Sequence, residues 1–140
     1  MRKQAKWMGK WDDRFLEYIY ENKSGAPTQI AESEYIPVSK QYVSRRLKEL
    51  AENGLLVSLG NGVYQISVMG ILYLAGDYDA QNETTLIDME EFEPWDEIKH
   101  LPEQEQETIR RAMIESRYPP GGELNILSKY MDLGLIDDYR

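Results

Sequence analysis

Gln41, Ser44, Arg45 and Lys48 recur at spacings of three and four residues. A helix through them stacks an amide, a hydroxyl, a guanidinium and an ammonium along one side. Those groups suit the edges of nucleic-acid bases and the oxygens of a phosphate chain. Gln41 has the geometry for a bidentate contact to adenine and Arg45 for one to guanine. Lys40, Lys48 and Arg46 have the charge and reach to hold phosphates. Ser39, Thr28 and Gln29 fall at expected helix N-termini, where backbone N–H groups meet phosphate oxygens. Tyr42 can bridge a phosphate or touch a thymine methyl. The plainer alternative is a solvated basic face on a structural helix.

The surrounding pattern is what such a face needs for support. Ser39 is a helix cap, and Asn53-Gly54 is a stop. With Val43 placed at the origin of a helical wheel, Leu47, Leu50 and Ala51 fall within about 80° of it, toward a core. Gln41, Ser44, Arg45, Lys48 and Glu52 fall on the far side, between about 100° and 200°. Arg46 and Tyr42 flank the two. Leu55–Leu59 and Val63–Ile66 then enclose Gly60-Asn61-Gly62. Asn-Gly between apolar runs predicts a hairpin with a type I′ turn. Ser67 caps a further helix from Val68 to about Ala75, ended by Gly76.

Ahead of this block, Asp12 is placed to cap a helix from Asp13 to about Asn22, with Phe15, Leu16, Ile19 and Tyr20 on its apolar face. Residues 26–33 read as a short second helix with Pro27 in its first turn. Lys3, Lys6 and Lys10 lie in a basic start that reads either as a DNA-touching arm or as a frayed end. The hairpin tip carries no Lys or Arg, so Asn61 and backbone amides are all it offers, and the arm is one source of the missing charge. Beyond the block, residues 77–83 read as a polar linker and residues 84–140 as an acidic helical extension. Within that extension Pro102–Arg117 predicts a helix with Ile109, Ala112 and Met113 as its stripe, and Glu123–Leu133 predicts another.

The chain has 140 residues and a net charge of −9, but the charge is uneven. Residues 1–76 hold ten Lys/Arg against eight Asp/Glu; residues 77–140 hold six against seventeen. The basic excess therefore sits with the candidate motif. An acidic remainder also suits a protein kept soluble in a salty cytoplasm. There are no cysteines, which excludes disulfides and thiolate metal sites. No apolar run approaches a membrane span, and a cytoplasmic location is expected. Catalysis is not expected, nor a cofactor: His100 is the sole histidine and belongs to no recognisable signature. The acids at residues 90–97 lack the calcium-loop pattern and read as a solvated face rather than a metal site.

At Trp7-Met8, Asp12–Glu17, Ile30-Ala31, Val38-Ser39, Tyr42–Leu47, Leu50-Ala51, Gly54-Leu55 and Gly62–Ile66 the chain resembles the haloarchaeal phage phi-H repressor-like family, and more broadly the winged-helix regulators of bacteria and archaea. The likeness covers about residues 7–76. It implies a transcriptional repressor that binds DNA through Ser39–Lys48. The Glu34–Pro37 insertion and the acidic extension depart from that pattern.

The expected architecture is mainly α with a small β-hairpin: a winged helix-turn-helix over residues 1–76 plus a helical C-terminal extension. The expected partner is double-stranded DNA, bound by a homodimer. Ile109, Met113, Leu124, Leu127 and Met131 are the candidate dimer contacts, unless the extension instead covers its own module. A protein-interaction adaptor that keeps the fold without binding DNA is the competing function.

Overall fold

The computed structural model describes residues 2–33, 36–92 and 98–120. Three helices, α1 (Asp12–Glu21), α2 (Pro27–Ala31) and α3 (Lys40–Glu52), lead into an antiparallel hairpin of β1 (Leu56–Gly60) and β2 (Val63–Ile66). Helix α4 (Val68–Ala75), a small hairpin of β3 (Tyr78–Asp79) and β4 (Thr84–Thr85), a 3-10 turn at Met89–Phe92 and helix α5 (Glu103–Arg117) follow. This is a winged helix-turn-helix, mostly helical, with the β1–β2 hairpin as its wing.

One core holds the elements together. Phe15, Leu16 and Ile19 of α1, Ile30 of α2, Val43, Leu47 and Leu50 of α3, and Ile71, Leu72 and Tyr73 of α4 are all fully buried. The sequence-predicted stripes of α1 and α3 are therefore the packed faces. Ile36, in the α2–α3 link, is also fully buried. Burying a Leu or Ile side chain is worth about 1.5–3 kcal/mol, so this core is the main force that fixes α3 against α1 and α4.

Local signals explain the element ends. The Ser39 hydroxyl accepts from the Tyr42 N–H at 3.1 Å and starts α3. The Ser67 hydroxyl accepts from the Gly70 N–H and donates to the Gly54 carbonyl, joining the start of α4 to the end of α3. Gly76 ends α4 with φ +84°. Asn61 and Gly62 turn the wing with φ of +55° and +76°, as a type I′ turn requires. The register slips between Ser58 and Gly60, which leaves Leu59 as a bulge that the alternation did not reveal. Gly25 exchanges two backbone hydrogen bonds with Tyr64, tying the wing to the α1–α2 loop.

Several expectations change. Asp12 does not cap α1; the N-cap position is Trp11, and the Asp12 side chain is buried. Helix α2 stops at Ala31, shorter than expected. Residues 77–83 are no linker. Tyr78 and Ala80 are buried, and β3 pairs with β4. The N-terminal segment is not frayed either: the Lys3 carbonyl accepts from the Ala80 N–H at 3.0 Å, and the Gln81 side chain accepts from the Lys6 N–H at 2.7 Å. Strands of two residues carry no alternation to read, which is why sequence patterning misses them.

In α5 the packed residue is Ile114, fully buried, rather than the expected Ile109–Ala112–Met113 stripe; Ile109 is half-buried and Ala112 exposed. Met113 packs partly against the core of its own chain. The Tyr20 hydroxyl donates to the Tyr118 carbonyl, and the Tyr118 hydroxyl donates to Asp77 at 2.7 Å. The expected last helix, with Leu124, Leu127 and Met131, lies outside the described residues.

Candidate nucleic-acid interface

With Val43, Leu47 and Leu50 turned inward, the helical period turns the opposite side of α3 to solvent. Lys40, Gln41, Ser44, Arg45 and Lys48 are all exposed and line one open face. Among the described residues, the side chains of Lys40, Gln41, Ser44 and Lys48 have no hydrogen-bond or ion-pair partner. Their donors and acceptors remain available to a ligand. Arg45 lies with its guanidinium carbon 5.4 Å from the centre of the Tyr42 ring. Tyr42 is half-buried, edge-on to Phe15 at 6.2 Å between centroids.

Arg46 does not join that face, which corrects its expected phosphate role. Its Nε and one terminal nitrogen form a fork on Asp12 at 3.1 and 2.8 Å. The same nitrogen donates to the Trp7 carbonyl at 3.0 Å, and the other binds Glu49 at 2.6 Å. Its side chain is 12% exposed and that of Asp12 is 0% exposed. The Asp12 hydrogen bond raises Arg46 further above the ordinary arginine range. Asp12 also accepts from the Gly9 N–H at 2.8 Å. Charge-assisted forks outcompete a helix cap, and this one pins α3 to α1. Gly9 lets these groups close up: a β-carbon there would lie 3.1 Å from the Tyr42 hydroxyl and 3.4 Å from both Arg46 and Asp12, and those side chains would have to give by a few tenths of an ångström.

A second buried network lies behind α1. Arg2 binds Glu17 at 2.6 Å, Asp13 at 3.3 Å and the Leu74 carbonyl at 2.9 Å. The Tyr73 hydroxyl donates to Asp13 at 2.6 Å, and burial first, then Asp13, pushes Tyr73 far above the usual phenol range. Neither network was legible in the sequence, because each joins residues from different elements.

The remaining candidates are scattered around α3. Thr28 and Gln29 are exposed on α2, but the Gln29 side chain already accepts from the Ala26 N–H at 3.0 Å. Ser39 is exposed at the start of α3, and its oxygen is engaged as the cap. Asn61 is exposed at the wing tip. The wing presents apolar Val57 and Leu59, 44% and 54% exposed. Lys3, Lys6 and Lys10 are exposed side chains on a segment whose backbone is fastened to β3, and Lys10 lies 5.6 Å over the Trp11 ring. Among the described residues no group of three or more His, Asp or Glu side chains is arranged to hold a metal, and no helix is long and apolar enough to cross a membrane.

No functionally curated protein matches the chain. Among solved structures, the crystal structure of the PhiH1 repressor-like protein from Haloarcula marismortui is similar at 48% identity and a TM-score of 0.60. The similarity covers 61% of this chain and 97% of that one. The family model of the winged helix-turn-helix phage repressor matches residues 1–85, through the end of the β3–β4 hairpin. With α1–α4, the wing and more than half its length matched, this chain belongs to the winged helix-turn-helix phage repressor family.

Proposed function

We propose that the protein binds double-stranded DNA sequence-specifically through α3 and represses transcription. The observation that carries this is the exposed face of Lys40, Gln41, Ser44, Arg45 and Lys48, polar groups with an apolar stripe directly behind them. Arg45 and Gln41 read base edges in the major groove, and Lys40 and Lys48 hold phosphates on either side. Thr28 and the N–H groups at the starts of α2 and α3 add backbone contacts. Asn61 meets the duplex from the wing without a charge. Two copies would match a two-fold operator through the acidic extension.

The charge balance shapes how the protein binds. At molar salt the Debye length is about 3 Å, and counterion release adds little. Hydrogen bonds to bases and fit of shape then carry more of the affinity. The overall charge of −9 and the uncharged wing tip favour a second reading, an adaptor that binds a protein instead. A gel shift with genomic fragments at several salt concentrations separates the two. Retained binding to one fragment under excess competitor DNA supports the repressor; no shift at any salt refutes it and leaves the adaptor.

A further inference from the structure

We propose that Tyr42 is a positioning residue that holds the Arg45 guanidinium in its base-reading orientation. The proposal rests on the DNA-reading role of α3 and names a determinant of its specificity. An exposed arginine ordinarily samples many rotamers, and ordering it on binding costs affinity. Here the Arg45 guanidinium already lies over an aromatic face, 5.4 Å from the ring centre. A cation–π contact holds the group through its charge and spends none of its N–H donors, which stay free for a bidentate contact.

The ring itself is held. Its edge-to-face contact with Phe15 reaches a side chain that is 0% exposed, in the centre of the core. Its hydroxyl end lies against Gly9, where a β-carbon would come to 3.1 Å. A line of support thus runs from Phe15 through Tyr42 to Arg45. The ring, not the hydroxyl, carries the effect, since the hydroxyl points into the Gly9 loop while the face meets Arg45.

The test starts by letting the wild-type protein select a duplex from a random-sequence pool. Dissociation constants are then measured for that duplex and for each single base-pair replacement. Tyr42→Phe keeps the discrimination of the wild type. Tyr42→Leu weakens binding by about 2- to 10-fold. It flattens preference at the base pair that Arg45→Ala also flattens, with the salt dependence unchanged. The double variant is no worse than Arg45→Ala alone. In the free protein, the Arg45 Cδ protons of wild type and Tyr42→Phe carry an upfield ring-current shift in NMR spectra, a readout that stands even if Tyr42→Leu does not fold. The proposal is overturned if that shift is missing, if Tyr42→Phe loses as much as Tyr42→Leu, or if the two losses simply add. If the wild type selects no sequence at all, the DNA-reading role falls, and this inference falls with it.

Discussion

Arg45 and Arg46 are adjacent, chemically identical and both on α3, yet they should respond oppositely to truncation. Arg46→Ala removes every side-chain cation from a carboxylate that is 0% exposed, leaving Asp12 only the Gly9 N–H. Breaking a buried pair by deleting one partner costs about 3–5 kcal/mol. The Glu49 contact adds little, since that side chain is 38% exposed and its interaction is screened. For a domain of this size roughly 4 °C of melting temperature accompanies each kcal/mol, so Tm should fall by about 12–20 °C. Arg45→Ala, on an exposed side chain, should stay within about 0.5 kcal/mol of wild type. Asp12→Ala combined with Arg46→Ala should recover part of the loss, because no orphaned charge remains. Urea and thermal melts of the four proteins at neutral pH measure these differences. Equal stabilities for the two arginine variants would refute the reasoning, since Asp12 would then be solvated despite its burial.

The remaining expectations concern packing, pH and salt. Gly70→Ala puts a β-carbon 2.3 Å from the Leu55 carbonyl and 2.6 Å from Ile66 Cγ1, so it should lower the urea midpoint by a loss of about 1–3 kcal/mol or more; an unchanged midpoint would mean that α4 can move off the wing. Burial pushes the Tyr20 phenol up to about 12, helped by Glu115, and the Tyr118 phenol up to about 12, helped by Asp77. Both folded values lie above the ordinary 10.0, so their contribution is complete below pH 10 and is lost as pH rises through about 12; absorbance of phenolate and helical circular dichroism should change together in that window, and phenolate absorbance rising well before the helical signal falls would refute the coupling. Lys48→Ala should weaken all duplexes alike and reduce the slope of log affinity against log salt by about 1, whereas Arg45→Ala should cost about 1–3 kcal/mol at one base position. A uniform loss from Arg45→Ala would reduce it to a phosphate contact.

The parts of this molecule visible in its sequence are those set by neighbours along the chain. Ser39 and Ser67 cap, Gly76 ends a helix, Asn61-Gly62 turns, and Val43, Leu47 and Leu50 repeat with the helical period. Each depends on a handful of consecutive residues. The misread residues answer to distant partners. Asp12 had every local attribute of a cap, but Arg46 reaches it from 34 positions away. Arg46 looked like one more cation on a basic helix for the same reason. Lys3 looked like part of a loose start because nothing near it announces the pairing with Asp79. In α5 the expected stripe of Ile109, Ala112 and Met113 left out Ile114, and the Tyr20–Tyr118–Asp77 chain of hydrogen bonds accompanies the orientation that buries it.

The Lys3–Asp79 bridge closes the module on itself, start against finish. A ribosome releases the opening residues long before the segment they must grip. During that interval Ala5, buried in the finished fold, has no seat, and the Arg2 link to the Leu74 carbonyl does not exist. The nascent chain therefore completes its tertiary structure only after residue 80 has left the exit tunnel.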